Sequence, residues 1–232
     1  LVGQAWELLG YSGAMEALAE AFNRGRILAQ AFSEFYSKAC AAQGLLVLDA
    51  SSRALHGLGA PVLKAALERA DELHKALLER NAALIAVGYH AQVAVGPQSS
   101  LLFLLDVKSG TRIALKRQPH SGAEPDGLWQ AGRERYSTDD LVGILLAEPE
   151  RISPSALLRP VYQDFLLGTS LTIGGPAEVA YFAQSAVLFE RVLGRMTPVE
   201  PRLSATLIEP SVAELMRRHG LTLERVVTET PD

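Results

Sequence analysis

In the stretch LTIGGPAEVAYFAQ, residues 171–184, a carboxylate closely follows a Gly-Gly-Pro turn. Gly174 and Gly175 carry no side chains, so a ligand can approach the main chain there. Gly175 suits the cap of a helix and Pro176 its first position, where the missing N–H costs little. Glu178 then falls in the first turn, where the free amides and the helix dipole favour a negative charge. These features are enough for a turn that only starts a helix. They also describe one wall of a binding site, with amides for a carboxylate and Glu178 for an amine or for hydroxyls. Phosphate fits poorly beside Glu178. The turn also lacks the lysine of a P-loop and the third glycine of a dinucleotide fingerprint.

The helix that follows has an apolar stripe of Val179, Phe182, Ala186, Phe189 and Leu193, while Glu178, Tyr181 and Ser185 share a polar face. Two arginines are candidates for holding an acidic group, because a guanidinium binds a carboxylate with two hydrogen bonds. Arg159 precedes Pro160, and Arg202 precedes an expected strand at 203–208. Each could instead pair with Asp164, Glu178 or Glu200. Of the five histidines, His56, His74, His120 and His219 are expected on surfaces or in loops. His90 is a weak site candidate. No spacing suggests zinc, and no Ser-His-Asp or Cys-His set can be assembled.

The elements that must position these groups alternate. Helical stripes run through residues 15–22 and 28–39. LLVLDA follows, and its run at 45–49 reads as a buried parallel strand. A long amphipathic helix is expected from Pro61 to about Ala86. From Gly88 the pattern becomes antiparallel: LLFLLDV and TRIALKR flank a KSG turn, and QPHSGAEPDG is a loop. Ser137 and Asp140 resemble a capping box ahead of LVGILL. Strands alternating with helices predict an α/β protein: a Rossmann-like core with a mainly parallel sheet and an antiparallel β-rich insertion. The expected division is residues 1–87 and 136–232 for the core and 88–135 for the insertion.

Composition narrows the function. The chain has 232 residues, a net charge of −4 and no basic run, so a nucleic-acid footprint is missing. The longest apolar runs are too short to span a bilayer, and the first residues do not read as a signal peptide. Cys40, the single cysteine, excludes an intramolecular disulfide and suits a reducing cytoplasm. It reads as a small packed residue at a helix end.

LLRPVYQDFLLGTSLTIGGPAEVAYFAQ and RMTPVEPRLSATLIEP resemble the bacillithiol biosynthesis cysteine-adding enzymes, as do GLLVLDASS, AGYHAQVAV and LLFLLD in the same order. The resemblance covers nearly the whole chain. It implies a cytoplasmic ligase that joins cysteine to glucosaminyl-malate and has a Rossmann-like core. It also implies a C-terminal coiled coil that makes homodimers in a longer protein; on this reading the chain is expected to be a fragment without that coiled coil and the family's N-terminal part. Amide formation from a free carboxylate needs activation, so ATP or another nucleotide is expected. On this reading Glu178 positions the sugar amine or accepts its proton. Arg159 or Arg202, with the amides of Gly174, Gly175 and Pro176's turn, takes the malate carboxylates. Tyr181, Gln163 and Ser204 bind sugar hydroxyls. The chain departs from the family pattern at Ala177, usually glycine, and at Gly168, Ser155 and Ala94, usually proline, asparagine and histidine. The alternatives are a non-catalytic small-molecule-binding module and another nucleotide-dependent transferase.

Overall fold

Val62, Leu63, Ala66 and Leu67 repeat at helical spacing on one helix, Leu73 and Leu77 on the next, and all are almost fully buried. They begin the main core. The computed structural model describes residues 13–23, 25–118 and 128–228. In it α1 spans Gly13–Ala21, α2 Leu28–Ala39, α3 Arg53–Glu68 and α4 Ala70–Ala86. The long helix expected from Pro61 begins earlier, at Arg53, and breaks at Arg69. The Arg69 side chain fixes the break. Its Nε and Nη2 donate to Glu72 at 2.8 Å each, and Nη1 donates to the Arg191 carbonyl at 2.9 Å.

Short strands follow: β1 Leu102–Leu105, β2 Arg112–Ala114, β3 Lys116–Arg117, β4 Trp129–Ala131 and β5 Glu134–Tyr136. Then come α5 Thr138–Ala147, β6 Ile152–Pro154, α6 Arg159–Leu167, β7 Thr172–Gly174, α7 Pro176–Leu193 and β8 Val199–Pro201. The last helices are α8 Pro210–Arg218 and α9 Leu223–Thr228. The expected box at Ser137 forms: Ser137 Oγ accepts from the Asp140 amide at 3.0 Å, and Asp140 Oδ2 accepts from the Ser137 amide at 2.8 Å.

β1 lies between β2 and β6, antiparallel to both, with Phe103 opposite Ala114 and Ser153. β3, β4 and β5 form an antiparallel meander. β7 and β8 pair in parallel, Thr172 opposite Val199 and Gly174 opposite Pro201, with α7 as the connection. The core joins these sheets to the helices. Leu102, Leu115 and Trp129 are buried with Leu63, Leu141, Leu158 and Phe189. α3 and α6 approach closely, because a Cβ on Gly59 would stand 2.1 Å from Tyr162 Cε2. The Tyr162 hydroxyl donates to the Leu55 carbonyl at 3.1 Å.

The structure is therefore mixed α/β, mostly helical, with small antiparallel sheets. The expected mainly parallel sheet is corrected: among the described residues the one parallel pairing is β7–β8. Residues 45–49 form no strand, and Leu46 is 86% exposed. An apolar run makes a strand only when another segment supplies ladder partners, and among the described residues none pairs with it. The strand expected at 203–208 is also absent. The sheet pairing falls earlier, at Val199–Pro201, where Pro198 O and Gly174 O find amide partners. His56 is buried rather than superficial, its ring nitrogens 3.2 Å from the Ile152 carbonyl and 3.0 Å from the Ala50 carbonyl. Most of the expected loop at 118–127, including His120, lies outside the described residues.

Candidate functional site

The β7–α7–β8 unit places the Gly174–Pro176 turn and Arg202 at the carboxyl end of its parallel strands, where open α/β sheets bind ligands. The Arg202 amide extends this pairing by donating to the Gly174 carbonyl at 2.7 Å. α6 enters from the side. The Ser155 carbonyl accepts from the amides of Leu158 and Arg159, at 3.1 and 2.8 Å, and so turns the chain into this helix. Gly168 ends it in the left-handed conformation, φ 56°.

Glu178 joins these pieces. Its Oε2 accepts from the Gly175 amide at 3.0 Å, the carboxylate half of a capping box. Its Oε1 accepts from the Tyr181 hydroxyl at 3.2 Å and stands 3.6 Å from Arg159 Nη2. Arg159 also donates through Nη2 to the Tyr181 hydroxyl, and through Nη1 to Gln163 Oε1 at 2.9 Å. Thus Glu178, Tyr181, Arg159 and Gln163 form one hydrogen-bonded set, one turn apart along α6 and one turn apart along α7. The set is open to solvent, with the Arg159 and Glu178 side chains 44% and 41% exposed.

The glycine pair has a specific steric reason. A Cβ on Gly175 would stand 2.9 Å from Arg202 Nη2, and one on Gly174 would stand 3.3 Å from the Glu178 Cβ. The room left by the missing side chains is taken by Arg202 and Glu178. The Gly175 amide is likewise engaged by Glu178. The amides that remain for a ligand are those at the start of α7, since the first turn has no intrahelical acceptors. Among the described residues the Arg202 guanidinium donates no hydrogen bond.

Electrostatics follow from these contacts. The Gly175 amide, then the Tyr181 hydroxyl and the two arginines, hold the Glu178 carboxyl below its ordinary range, against a smaller opposing effect of burial. Burial pushes the Tyr181 hydroxyl up. At neutral pH the cluster is one carboxylate between two guanidinium groups. It can hold a carboxylate on Arg159 or Arg202 and an ammonium or hydroxyl on Glu178. A carboxylate with a lowered pKa is a weak proton acceptor, so Glu178 is better suited to positioning than to general base catalysis.

Other expected residues stand apart. Ser204 lies in an exposed stretch without regular structure and, among the described residues, makes no hydrogen bond to the set. His90 is exposed, with Nε2 2.8 Å from Gln92 Oε1. Cys40 caps α2, half-buried. Among the described residues no group of three or more His, Cys, Asp or Glu side chains is placed to hold a metal ion. Asp164, expected as a candidate partner of Arg159 or Arg202, is instead 2% exposed and pairs elsewhere. Its Oδ1 accepts from the Thr197 hydroxyl at 2.7 Å, while Arg195 Nη2 approaches Oδ2 at 2.9 Å as a charge pair. This contact ties the segment before β8 to α6, so it supports the site without belonging to it.

The family profile described as "Bacillithiol biosynthesis BshC, N-terminal Rossmann-like domain" matches residues 10–203. A candidate cysteine ligase BshC of Koribacter versatilis is 42% identical over 226 residues, 97% of this chain and 41% of the relative. One of Solibacter usitatus is 38% identical over 202 residues, covering 87% and 36%. One of Symbiobacterium thermophilum is 33% identical over 222 residues, covering 92% and 36%. The chain thus spans about two fifths of the length of the curated relatives it matches. The profile match covers the site cluster, from Arg159 through Arg202, and on this ground the chain belongs to the BshC family of bacillithiol biosynthesis.

Proposed function

We propose that this chain carries part of a ligase that joins cysteine to glucosaminyl-malate, with the Glu178 cluster as the acceptor-substrate site. The observation that carries the reading is the placement of Glu178, Tyr181 and Arg159 at the carboxyl end of β7 and β8. Malate brings two carboxylates, which match Arg159 and Arg202. The sugar amine lies on Glu178. Tyr181 and Gln163 face sugar hydroxyls, and Gly174, Gly175 and Pro176 shape the turn. Ser204 keeps no part in this reading.

In the bond-forming step the neutral amine attacks the carbonyl carbon of an activated cysteine carboxyl. The C–N bond forms, the bond to the activating group breaks, and the amine gives up a proton. Glu178 holds the amine in place by hydrogen bonding, and its low basicity sends that proton to water. Activation is the chemistry that ATP or another nucleotide would supply. The Gly174–Pro176 turn does not fit the phosphates of such a nucleotide, because Glu178 already occupies the Gly175 amide and places a negative charge there. No step is therefore assigned to a nucleotide at this turn.

The setting we propose is the cytoplasm; among the described residues no helix is long and apolar enough to cross a membrane. A homodimer is proposed only for a longer protein that includes a coiled coil. A second reading, a module that binds the same ligand without reacting, is favoured by the two-fifths coverage of the relatives. Mass spectrometry of the protein with cysteine, glucosaminyl-malate and ATP tests the ligase reading. It predicts a condensed product whose rate falls at least about tenfold in Glu178→Gln, equivalent to about 1.4 kcal/mol. Full rate in that variant removes Glu178 from the reaction, and binding without any product selects the second reading.

A further inference from the structure

A second cluster lies away from Glu178, where three distant segments converge. The β1–β2 turn, the β4–β5 turn and the chain just before β6 enclose a cleft of about 420 Å3. Its wall includes Lys108, Arg133 and Arg151, together with Asp106 and Glu134. Both carboxylates are already engaged. Asp106 accepts from the Lys108 amide at 3.0 Å and from the Ser109 hydroxyl at 2.6 Å, which closes its own turn. Glu134 accepts from the Tyr136 hydroxyl at 2.6 Å.

The cations are not matched in the same way. Among the described residues the side chains of Lys108 and Arg133 make no hydrogen bond or ion pair. Arg151 reaches Glu148 through Nη1 at 3.0 Å, but its Nε is buried without an acceptor. That nitrogen is closed off from solvent, but Arg151 Nη2 makes no hydrogen bond among the described residues, and a bound oxyanion is a partner it could take. Gly132 holds the β4–β5 hairpin tight, with φ 62°, and so fixes Arg133 at the rim. The buried side chains of Leu104 and Ala131 give the cleft a rigid apolar wall.

We propose that this cleft binds a small molecule through a phosphate group held by Arg151, Arg133 and Lys108. Guanidinium groups match the geometry of phosphate oxygens, and an ammonium adds a point charge. The volume lies in the range of small-ligand sites. The proposal stands independently of the reaction assigned to Glu178.

Calorimetric titration of the chain with inorganic pyrophosphate, and separately with ATP, tests it. Saturable binding is expected for at least one probe. Arg133→Ala and Lys108→Ala should each weaken it about fivefold or more, and the double variant further. Both side chains are exposed, so these variants should fold, which circular dichroism checks. Lys64→Ala, a surface charge on α3 paired with Glu68, should leave the affinity unchanged. ATP binding at least tenfold tighter than pyrophosphate points to a nucleoside phosphate. Equal affinities point to recognition of the phosphates alone. Absence of saturable binding to both probes overturns the proposal. So does an affinity that Arg133→Ala and Lys108→Ala leave intact, or that Lys64→Ala lowers equally.

Discussion

Residues 45–48 read LLVL and residues 102–105 read LFLL, and the two runs end in opposite states. The second is β1, paired on both edges, with Leu102 and Leu104 only 1% and 3% exposed. The first forms no strand and leaves Leu45, Leu46 and Leu48 largely in solvent. The two runs offer nearly the same apolar surface. They differ in what the rest of the chain brings to them. β1 is followed by a turn that closes on Asp106 and returns β2, and β6 arrives on its other edge. Among the described residues, 45–48 receive no such partner. The helical hairpin before them, α1 and α2, packs mainly on itself through Met15, Ala21, Phe22 and Phe35.

The largest contrast should come from truncating the two runs. Leu104→Ala should cost about 2–5 kcal/mol in a urea unfolding curve, as for other buried leucines. Leu46→Ala should stay within about 0.5 kcal/mol. A large loss at Leu46 would show that this run is buried in solution and would erase the distinction. Gly59→Ala comes next, at about 1–3 kcal/mol, because the new methyl group drives against the Tyr162 ring. Ser137→Ala should cost about 0.5–2 kcal/mol through loss of the α5 cap. No change there would mean that α5 is held by the body alone.

The smallest effect is a change in acid sensitivity. The folded pKa values of Glu178 and Asp140 lie below their ordinary values of 4.5 and 3.8. The main causes are the Gly175 amide for Glu178 and the Ser137 amide for Asp140. Each group therefore contributes stability that is complete above its ordinary value and is lost as pH falls through the lowered folded value. Glu178→Gln should flatten the fall in unfolding free energy below about pH 4.5. An unchanged slope in that variant would contradict the hydrogen bonds drawn around Glu178.

Sequence signals that act over a few residues translated well into structure. The Ser137–Asp140 box, the Gly-Gly-Pro start of α7 and the KSG turn all rest on local backbone and capping preferences, and all form. Signals that need a distant partner did not carry through. The strands expected at 45–49 and 203–208 satisfied the hydrophobic pattern but, among the described residues, had no ladder beside them. The site was half visible in the same sense. Glu178 and Tyr181 share a helix face by spacing alone, whereas Arg159 joins them only because α6 packs against α7. The space at the glycine pair suggested an approaching ligand, yet Arg202 fills it from within the chain. Lys108, Arg133 and Arg151 come from three separate segments, so no spacing rule could group them.

Titrating glucosaminyl-malate into the chain and into its Arg159→Met variant tests the Glu178–Arg159 site most directly. Saturable binding is predicted for the unaltered chain. The variant should bind at least about tenfold more weakly, the effect of losing one charge-assisted contact. Equal affinity in the two proteins, or no saturable binding to the unaltered chain, would contradict placement of the acceptor substrate at this turn.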